Sequence, residues 1–340
     1  MGVFDSKYFN SEVFGKYLET VPRVKQNAFL KAGVLRTRND LRGLLVDQTG
    51  GNFISVPMTG LIGGAALNYD GSTNITATGL ETFLQSMIVV GRAKAWEEKD
   101  FSFDITGHDF MGDIAAQVGN YWDDIDQLTI LKTLEGIFGV TTDSFNTKHT
   151  LDITGATTKT VGATTLNDAV QKAAGDNKNL FTMAIMHSVV ATTLENLQIL
   201  EYWKENDANG VQRTVALASW NGRTVLIDDG VPVDTTGTNP KYTTYLLGQG
   251  AFDYCDCGAK VPNETFRDPT TAGGKEMLIT RQRKIFAPRG FSFVQPSTPI
   301  VSPTDANLAT AARWTIVKDT AGTGYFDSKA IPFARIISEG

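Results

Sequence analysis

The sequence has few of the residues that build most catalytic, metal and disulfide sites. Its 340 residues include three histidines and two cysteines. His108, His149 and His187 have none of the spacings of a metal site. Cys255 and Cys257 lie too close together for a disulfide framework and are interpreted as small strand residues. The sequence therefore predicts no cofactor, no metal and no catalytic residues, and we expect a protein that is not an enzyme.

Long apolar runs and an excess of positive charge are also missing. No stretch approaches the roughly 18 consecutive apolar residues of a membrane span. The first residues lack the apolar core of a signal peptide, so a cytosolic chain is the simplest interpretation. The net charge of −6 argues against a general nucleic-acid binder, although not against a protein that encloses DNA.

The most unusual absence is that of lysine and arginine between Gly43 and Gly91. The chain has 31 basic residues, so a window of this length would be expected to hold roughly four or five. Within it, "NFISVP" and "FLQSMIVV" predict two strands, the first of them ended by Pro57. The glycine- and threonine-rich residues between them show no helical period. Together they predict a long hairpin with an extended tip, a kind of loop that is usually functional.

The strongest periodic signal runs from Asp109 to Phe138 and predicts a helix about 45 Å long. Asp123, Asp124 and Asp126 fall outside its apolar stripe and are interpreted as a solvated face. A helix of this length needs an extended partner surface. The apolar stripe consists of Ile114, Val118, Tyr121, Ile125, Leu128 and Leu131.

The rest of the chain predicts an amphipathic arm over residues 9–19 and, after the long helix, irregularly alternating helices and strands. One helix is predicted to be capped by Thr165, and another to open at Ser188. Asn221-Gly222 suits the type I′ turn of a hairpin. Further strands are predicted over "KYTTYLLG", "AFDYCDCG" and "EMLITRQRKIFAP", with the "RDPTTAGGK" loop between the last two.

Basic side chains cluster once along these strands. Arg281, Arg283 and Lys284, with Arg289 nearby, are able to contact phosphates. As alternate residues of a strand they are instead interpreted as a wet sheet face or a subunit contact.

Several local motifs, in their order along the chain, resemble the major capsid proteins of tailed bacteriophages with the Hong Kong 97-type fold. They extend from about Tyr8 to about Ile336. The motifs are "FNSEVFGKY", "ISVPMTGLIGGAALNYDG", "GRAKAWEEKDFSFDITGHDFMGDIAAQVGNYWDDIDQLTILKTLEGIF", "MAIMHSVVATTLENL", "NGRTVLIDDGVPV", "YLLGQGAF" and "APRGFSF".

The resemblance implies an α+β phage capsid fold with five parts. These are an N-terminal arm (1–42), an extended loop with flanking strands (43–103), the spine helix of a peripheral domain (104–144), an axial domain (145–250), and the return strands of the peripheral domain with a C-terminal segment (251–340).

The resemblance also implies self-assembly into hexamers and pentamers. These would form an icosahedral shell around double-stranded DNA without sequence-specific binding. A portal is expected, and so is a separate scaffolding protein, since no scaffolding segment precedes the arm. The chain would then be located in the virion after assembly in the host cytoplasm. The expected subunit contacts are Leu61, Ile62, Leu67, Tyr69 and Ile75 at the loop tip, and Phe9, Phe14 and Tyr17 in the arm.

The missing lysines matter for this resemblance. Some members of the family join neighbouring subunits covalently, through a lysine of the extended loop and an asparagine. Since no lysine occurs between Gly43 and Gly91, the sequence predicts a shell that is held by noncovalent contacts.

Three other functions remain open on the sequence. An encapsulin-like compartment shares the fold but packages enzymes, and a tail-tube or other virion protein is a further structural option. A cytosolic α/β hydrolase with a lid over residues 58–81 would instead be a monomer or small oligomer, with titratable groups converging on a pocket.

Overall fold

Two β-sheets and one long helix organise the chain. The computed structural model describes residues 33–47, 52–60, 65–72, 74–75, 77, 79–101, 110–206, 212–319 and 324–340. In these ranges, no helix has the length and apolar character needed to cross a membrane.

The helices, in chain order, are α1 (Asp40–Asp47), α2 (Phe110–Phe138), α3 (Phe145–His149), α4 (Thr165–Ala174), α5 (Ser188–Asn196) and α6 (Asp305–Ala309). The strands are β1 (Leu35–Thr37), β2 (Phe53–Thr59), β3 (Thr82–Ile88), β4 (Val90–Lys99), β5 (Thr150–Asp152), β6 (Phe181–Met186), β7 (Leu200–Asn206), β8 (Gln212–Trp220), β9 (Arg223–Ile227), β10 (Val233–Asp234), β11 (Lys241–Gly248), β12 (Phe252–Asp256), β13 (Asn263–Asp268), β14 (Lys275–Pro288), β15 (Phe291–Phe293), β16 (Trp314–Ile316) and β17 (Phe333–Ser338).

The five-stranded sheet is built around β14, which is 14 residues long. β4 pairs antiparallel with its first ten residues and β13 with its first six, and β12 pairs antiparallel with its last residues. β1 extends the sheet by pairing parallel with β12. β13 was not predicted from the sequence, because its "NETFRD" segment is polar and reads as part of a loop.

The eight-stranded sheet has the order β5-β17-β11-β6-β9-β8-β7, with β10 on β11. α4 and α5 contribute the apolar residues that pack on it, among them Leu166 and Leu194. The turn between β8 and β9 has positive φ at Asn221 (51°) and Gly222 (76°), which confirms the predicted type I′ hairpin.

The last strand lies in the predicted C-terminal segment and belongs to the eight-stranded sheet. β17 pairs antiparallel with β11 and parallel with β5, inside the eight-stranded sheet. Phe333, Ala334 and Ile336 are fully buried there. The C-terminal segment therefore returns to the sheet formed by residues 145–250.

Two predicted helix starts also need comment. Thr165 does not cap α4: it is the first residue of the helix, and its Oγ1 accepts a hydrogen bond from the Gly162 N–H at 3.0 Å. α5 does begin at Ser188, and its cap is His187, whose Nδ1 accepts from the Val189 N–H at 3.2 Å.

The predicted long helix is confirmed as α2, but the interpretation of its acidic residues as a solvated face is wrong. Asp123 and Asp126 are only 5% and 6% exposed, and only Asp124 lies in solvent. Asp126 is buried because β14 crosses the helix on this side. Lys284 reaches across from β14, with its Nζ 2.5 Å from Asp126 Oδ2.

The interpretation of the basic run as a wet sheet face is correspondingly wrong for Lys284, which is 4% exposed. Arg281 and Arg283 do keep partly exposed positions. Arg281 pairs with Glu264 at 3.0 Å, and Arg283 donates to Asn52 Oδ1 at 2.6 Å. Strand alternation predicts the face of the sheet on which each basic residue lies. Burial of Lys284 results from α2, which covers that face.

The C-terminal end of α2 is held by close backbone packing. A Cβ on Gly136 would lie 2.0 Å from the Leu308 carbonyl oxygen and 2.6 Å from Trp314 Nε1. The Trp314 indole donates to that same carbonyl at 2.7 Å. Only glycine fits at this position, because any side chain on α2 would collide with the residues that follow α6 and begin β16.

We expect Lys284→Met to lower the free energy of unfolding by about 3–5 kcal/mol, because it leaves the Asp126 carboxylate buried without its counter-charge. Adding Asp126→Asn should restore most of the loss. Urea unfolding of the unassembled chain, followed by tryptophan fluorescence, measures both values. Lys260→Met, at an exposed position, is the control. A Lys284→Met variant as stable as the control would contradict a buried pair.

Candidate interaction surface

β2 and β3 form a separate two-stranded hairpin, as the sequence predicted. The register runs from Phe53↔Ile88 to Thr59↔Thr82. Pro57 does not end the first strand but lies within it, opposite Leu84. Proline is tolerated there because β2, among the described strands, pairs only with β3 and is an edge strand.

The inner face of the hairpin is fixed to the five-stranded sheet. Ile54 and Met87 belong to a buried cluster with Leu41 of α1 and Ile285 of β14. The side chain of Gln85, 1% exposed, donates to the carbonyl oxygens of Pro288 and Phe291 at 2.9 and 3.0 Å. Since Gln85 has both acceptors inside the core, the base of the hairpin cannot rotate without breaking buried hydrogen bonds.

The entry to the hairpin is held by side chains from distant parts of the sequence. Asn52 accepts from Arg283 and donates to the Val301 carbonyl at 2.7 Å. At the exit, the Ser302 Oγ accepts from the Gly91 N–H at 3.0 Å. These contacts set the direction in which the hairpin leaves the sheet.

The outer face of the hairpin has no charged side chain. Ser55 and Ser86 lie opposite each other with their hydroxyls 3.2 Å apart, and Leu84 is 54% exposed. An uncharged, half-apolar face on an edge hairpin is suited to contact with another protein surface. Its residues are Ser55, Pro57, Thr59, Thr82, Leu84 and Ser86.

The structure places three of the predicted contact residues in solvent beyond the hairpin. Tyr69 is 92% exposed, Ile75 79% and Leu67 48%. Tyr69 and Ile75 therefore bury little of their surface against the described residues, and Leu67 buries about half of its own. The other predicted contacts, Leu61 and Ile62 in the loop and Phe9, Phe14 and Tyr17 in the arm, lie outside the described residues.

Two further exposed apolar residues on this surface were missed by the sequence reasoning, Leu80 (52%) and Leu84. Strand alternation in "FLQSMIVV" was a usable signal for Leu84. It places Phe83 and Gln85 on the inner face, and Leu84 between them points the opposite way.

The two described histidines, His149 and His187, form hydrogen bonds with the backbone. His149 is buried, its Nδ1 lies 2.7 Å from the Phe333 carbonyl oxygen, and desolvation lowers its pKa. His187 directs one nitrogen, Nδ1, at the Val189 N–H, at Ser188 Oγ (3.5 Å) and at Asp229 (3.6 Å). The bond from the Val189 N–H makes His187 the cap of α5. His108 lies outside the described residues.

The side chains that the structure describes include no group of three or more histidine, cysteine, aspartate or glutamate residues placed to hold a metal ion. Cys255 and Cys257 are free, buried thiols in the cluster beneath the hairpin. Burial raises the pKa of both and brings that of Cys257 to about 12. Their chemistry is therefore that of small apolar core residues.

The chain is similar over most of its length to a known phage protein. It is 28% identical over 309 residues to the major capsid protein of Bacillus phage SPP1, covering 91% of this chain and 92% of that protein. No protein-family model matches the sequence.

Solved phage capsids have the same fold. The capsid of Ralstonia phage GP4 aligns with a TM-score of 0.57 and 13% identity, over 76% of this chain and 84% of that one. The capsid of cyanophage Pam1 aligns with a TM-score of 0.53 and 11% identity, over 99% and 96% of the two chains. The chain therefore has the α+β, Hong Kong 97-type fold of phage capsid proteins.

The packing of the hairpin on the two cysteines predicts how these thiols react. In the unassembled chain, a thiol-specific disulfide reagent at pH 8 should label them slowly, because both are buried and largely protonated. Ile54→Ala should raise the rate at least about tenfold by weakening the inner face. Ser55→Ala, on the outer face of the same strand, should leave it nearly unchanged. Equal rates in both variants would contradict the hairpin packing.

Proposed function

We propose that this chain is the major capsid protein of a tailed bacteriophage. Copies of it assemble into hexamers and pentamers, which form an icosahedral shell around double-stranded DNA. The observation that carries this proposal is the similarity to the SPP1 major capsid protein over about nine-tenths of both chains. The capsid fold supports it independently.

The role is structural, and the features of the chain are consistent with it. Its hairpin has a firmly anchored base, an uncharged outer face and exposed Leu67, Tyr69 and Ile75. The exposed part of such a projecting element can gain stability from a neighbouring surface. We assign the subunit contacts to these residues together with Leu61 and Ile62, and to Phe9, Phe14 and Tyr17 of the arm.

Each of the two sheets corresponds to one proposed domain. The five-stranded sheet, with α2 as the spine helix, is the peripheral domain. The sheet of residues 145–250, with β17 added to it, is the axial domain around which the copies of a hexamer or pentamer are arranged. A scaffolding protein and a portal are the proposed assembly partners in the host cytoplasm, and the finished shell is part of the virion.

The shell encloses DNA without reading its sequence. The net charge of −6 opposes tight binding to the phosphate backbone, which allows DNA to be packed and later released. An encapsulin-like compartment and an α/β hydrolase are not favoured, since the similarity over nearly the whole chain is to a phage capsid protein.

The first test is assembly. With its scaffolding protein, the purified chain should sediment rapidly and appear as closed shells or ring-shaped capsomers by electron microscopy. Tyr69→Ser with Ile75→Ser should lower the assembled fraction several-fold, because both side chains are exposed in the single chain. Leu197→Ser, another exposed apolar position, is the control. A chain that remains a 36.9 kDa monomer with scaffolding present would overturn the proposal.

The second test concerns how the shell is held together. No lysine occurs between Gly43 and Gly91, so the loop has no amine for a covalent cross-link. Particles boiled in detergent and denaturant should release one band of 36.9 kDa, with and without reductant. A ladder of larger species that persists in reductant would show that subunits are joined covalently and would refute the noncovalent shell.

A further inference from the structure

A small cavity lies within the contact between α2 and β14. Its volume is about 10 Å³, which is close to the minimum that holds one water molecule. Its polar lining comes from Asp126 and Thr129 of α2 and from Gln282 and Lys284 of β14. The cavity is therefore polar, although the contact around it is buried.

The register of the contact explains why Gln282 faces this cavity. Thr280, Gln282 and Lys284 are alternate residues of β14 and point to the side of the sheet that α2 covers. Thr280 accepts from the Trp122 indole, and Lys284 pairs with Asp126. Gln282 lies between these two contacts, and its Oε1 is buried without a hydrogen-bond partner among the described residues.

The residue opposite Gln282 on the neighbouring strand does not supply the missing donor. Arg92 of β4 is the register partner of Gln282, but its guanidinium is occupied elsewhere. It donates to the carbonyl oxygens of Gly91 and Pro303 at 3.0 and 2.8 Å. Its other terminal nitrogen pairs with Asp305 at 2.6 Å. Because a buried amide oxygen without a donor destabilises a fold, the position indicates a donor other than the side chains described around it.

Two other groups at the cavity have hydrogen-bonding capacity to spare. The Lys284 ammonium has three N–H donors, of which the contact with Asp126 uses one. The Thr129 hydroxyl donates its hydrogen to the Ile125 carbonyl at 2.8 Å, which leaves the lone pairs of its oxygen as acceptors. One donor and two acceptors, Gln282 Oε1 and Thr129 Oγ1, thus border the same cavity. A buried water molecule makes two to four such bonds.

Charge and size distinguish water from other small occupants. The Lys284 ammonium disfavours a cation in the cavity, and the Asp126 carboxylate disfavours an anion. The two groups neutralise each other at 2.5 Å, so they favour a neutral ligand. A cavity of this volume also has no room for an anion as large as phosphate.

We propose that this cavity is the binding site of one structural water molecule. The water accepts a hydrogen bond from Lys284 Nζ and donates to Gln282 Oε1 and Thr129 Oγ1. It lies between the tryptophan–threonine contact and the ion pair that join the helix to the strand, and it supplies the hydrogen bond that their register denies to Gln282. The site belongs to the single subunit and does not depend on assembly of a shell.

A high-resolution map of the unassembled chain tests the site directly. A solvent peak should lie within about 2.6–3.2 Å of Lys284 Nζ, Gln282 Oε1 and Thr129 Oγ1. A map that resolves these side chains and other buried waters, but has no peak here, overturns the proposal. Crystals soaked in bromide should show no anomalous peak at the site, since such a peak would identify a halide instead of water.

Water ¹⁷O magnetic relaxation dispersion gives a second readout, because it counts long-lived buried waters in solution. Gln282→Met with Thr129→Val removes both acceptors at nearly constant size and should lower the count by one. Thr133→Val is the matched control: its hydroxyl also donates to a carbonyl of α2, at 2.9 Å, but it does not line the cavity. An unchanged count in the double variant would contradict the proposal. If the double variant does not fold, the map of the unaltered chain decides.

Discussion

The contact between α2 and β14 is the interaction on which the rest of the structure depends. Two polar contacts define it: the Trp122 indole donates to Thr280 Oγ1 at 3.1 Å, and Lys284 pairs with Asp126 at 2.5 Å. They lie four residues apart on both the helix and the strand. Because each is buried, sliding the helix along the strand would leave a donor or a charge without its partner.

β14 also fixes the position of the β2–β3 hairpin, which we assign to subunit contact. β4 pairs with it over ten residues and leads directly from the hairpin. Gln85 of the hairpin donates to backbone carbonyls at the end of β14 and in β15. The direction of the exposed loop is thus determined by the strand that the long helix covers. The proposed contact residues of the loop are thus held at a defined place by the base of the hairpin.

The same helix also joins the two sheets. Phe138, its last residue, stacks on Tyr245 of β11 and lies under the guanidinium of Arg335 at 5.0 Å. Arg335 belongs to β17 and donates to Asn146 and Thr150 as well. Desolvation lowers the pKa of this guanidinium, and its hydrogen bonds and the aromatic ring offset the cost of burial. The predicted helix therefore contacts both sheets, although its sequence suggests only that it needs a long partner surface.

The local elements could largely be predicted, and the errors have a common cause. Helical periodicity predicted α2 within a residue, and the Asn221-Gly222 pair predicted the turn between β8 and β9, because both signals arise within the segment itself. The solvated face assigned to Asp123 and Asp126 was wrong, as was the wet position of Lys284. Asp126 and Lys284 are tolerated in the core because they pair with each other from elements distant in sequence, and no local sequence pattern indicates such a partner.

For the candidate interaction surface, too, some properties follow from the sequence and others depend on the fold. The absence of lysine and the exposed character of the loop follow from composition, so the sequence by itself determined that any joint there lacks an amine from this segment. Only the tertiary structure decided that Leu84 faces outward and that Gln85 anchors the hairpin. Those properties depend on which surfaces β14 and α2 already occupy, and burial is a property of the assembled fold rather than of any single stretch of chain.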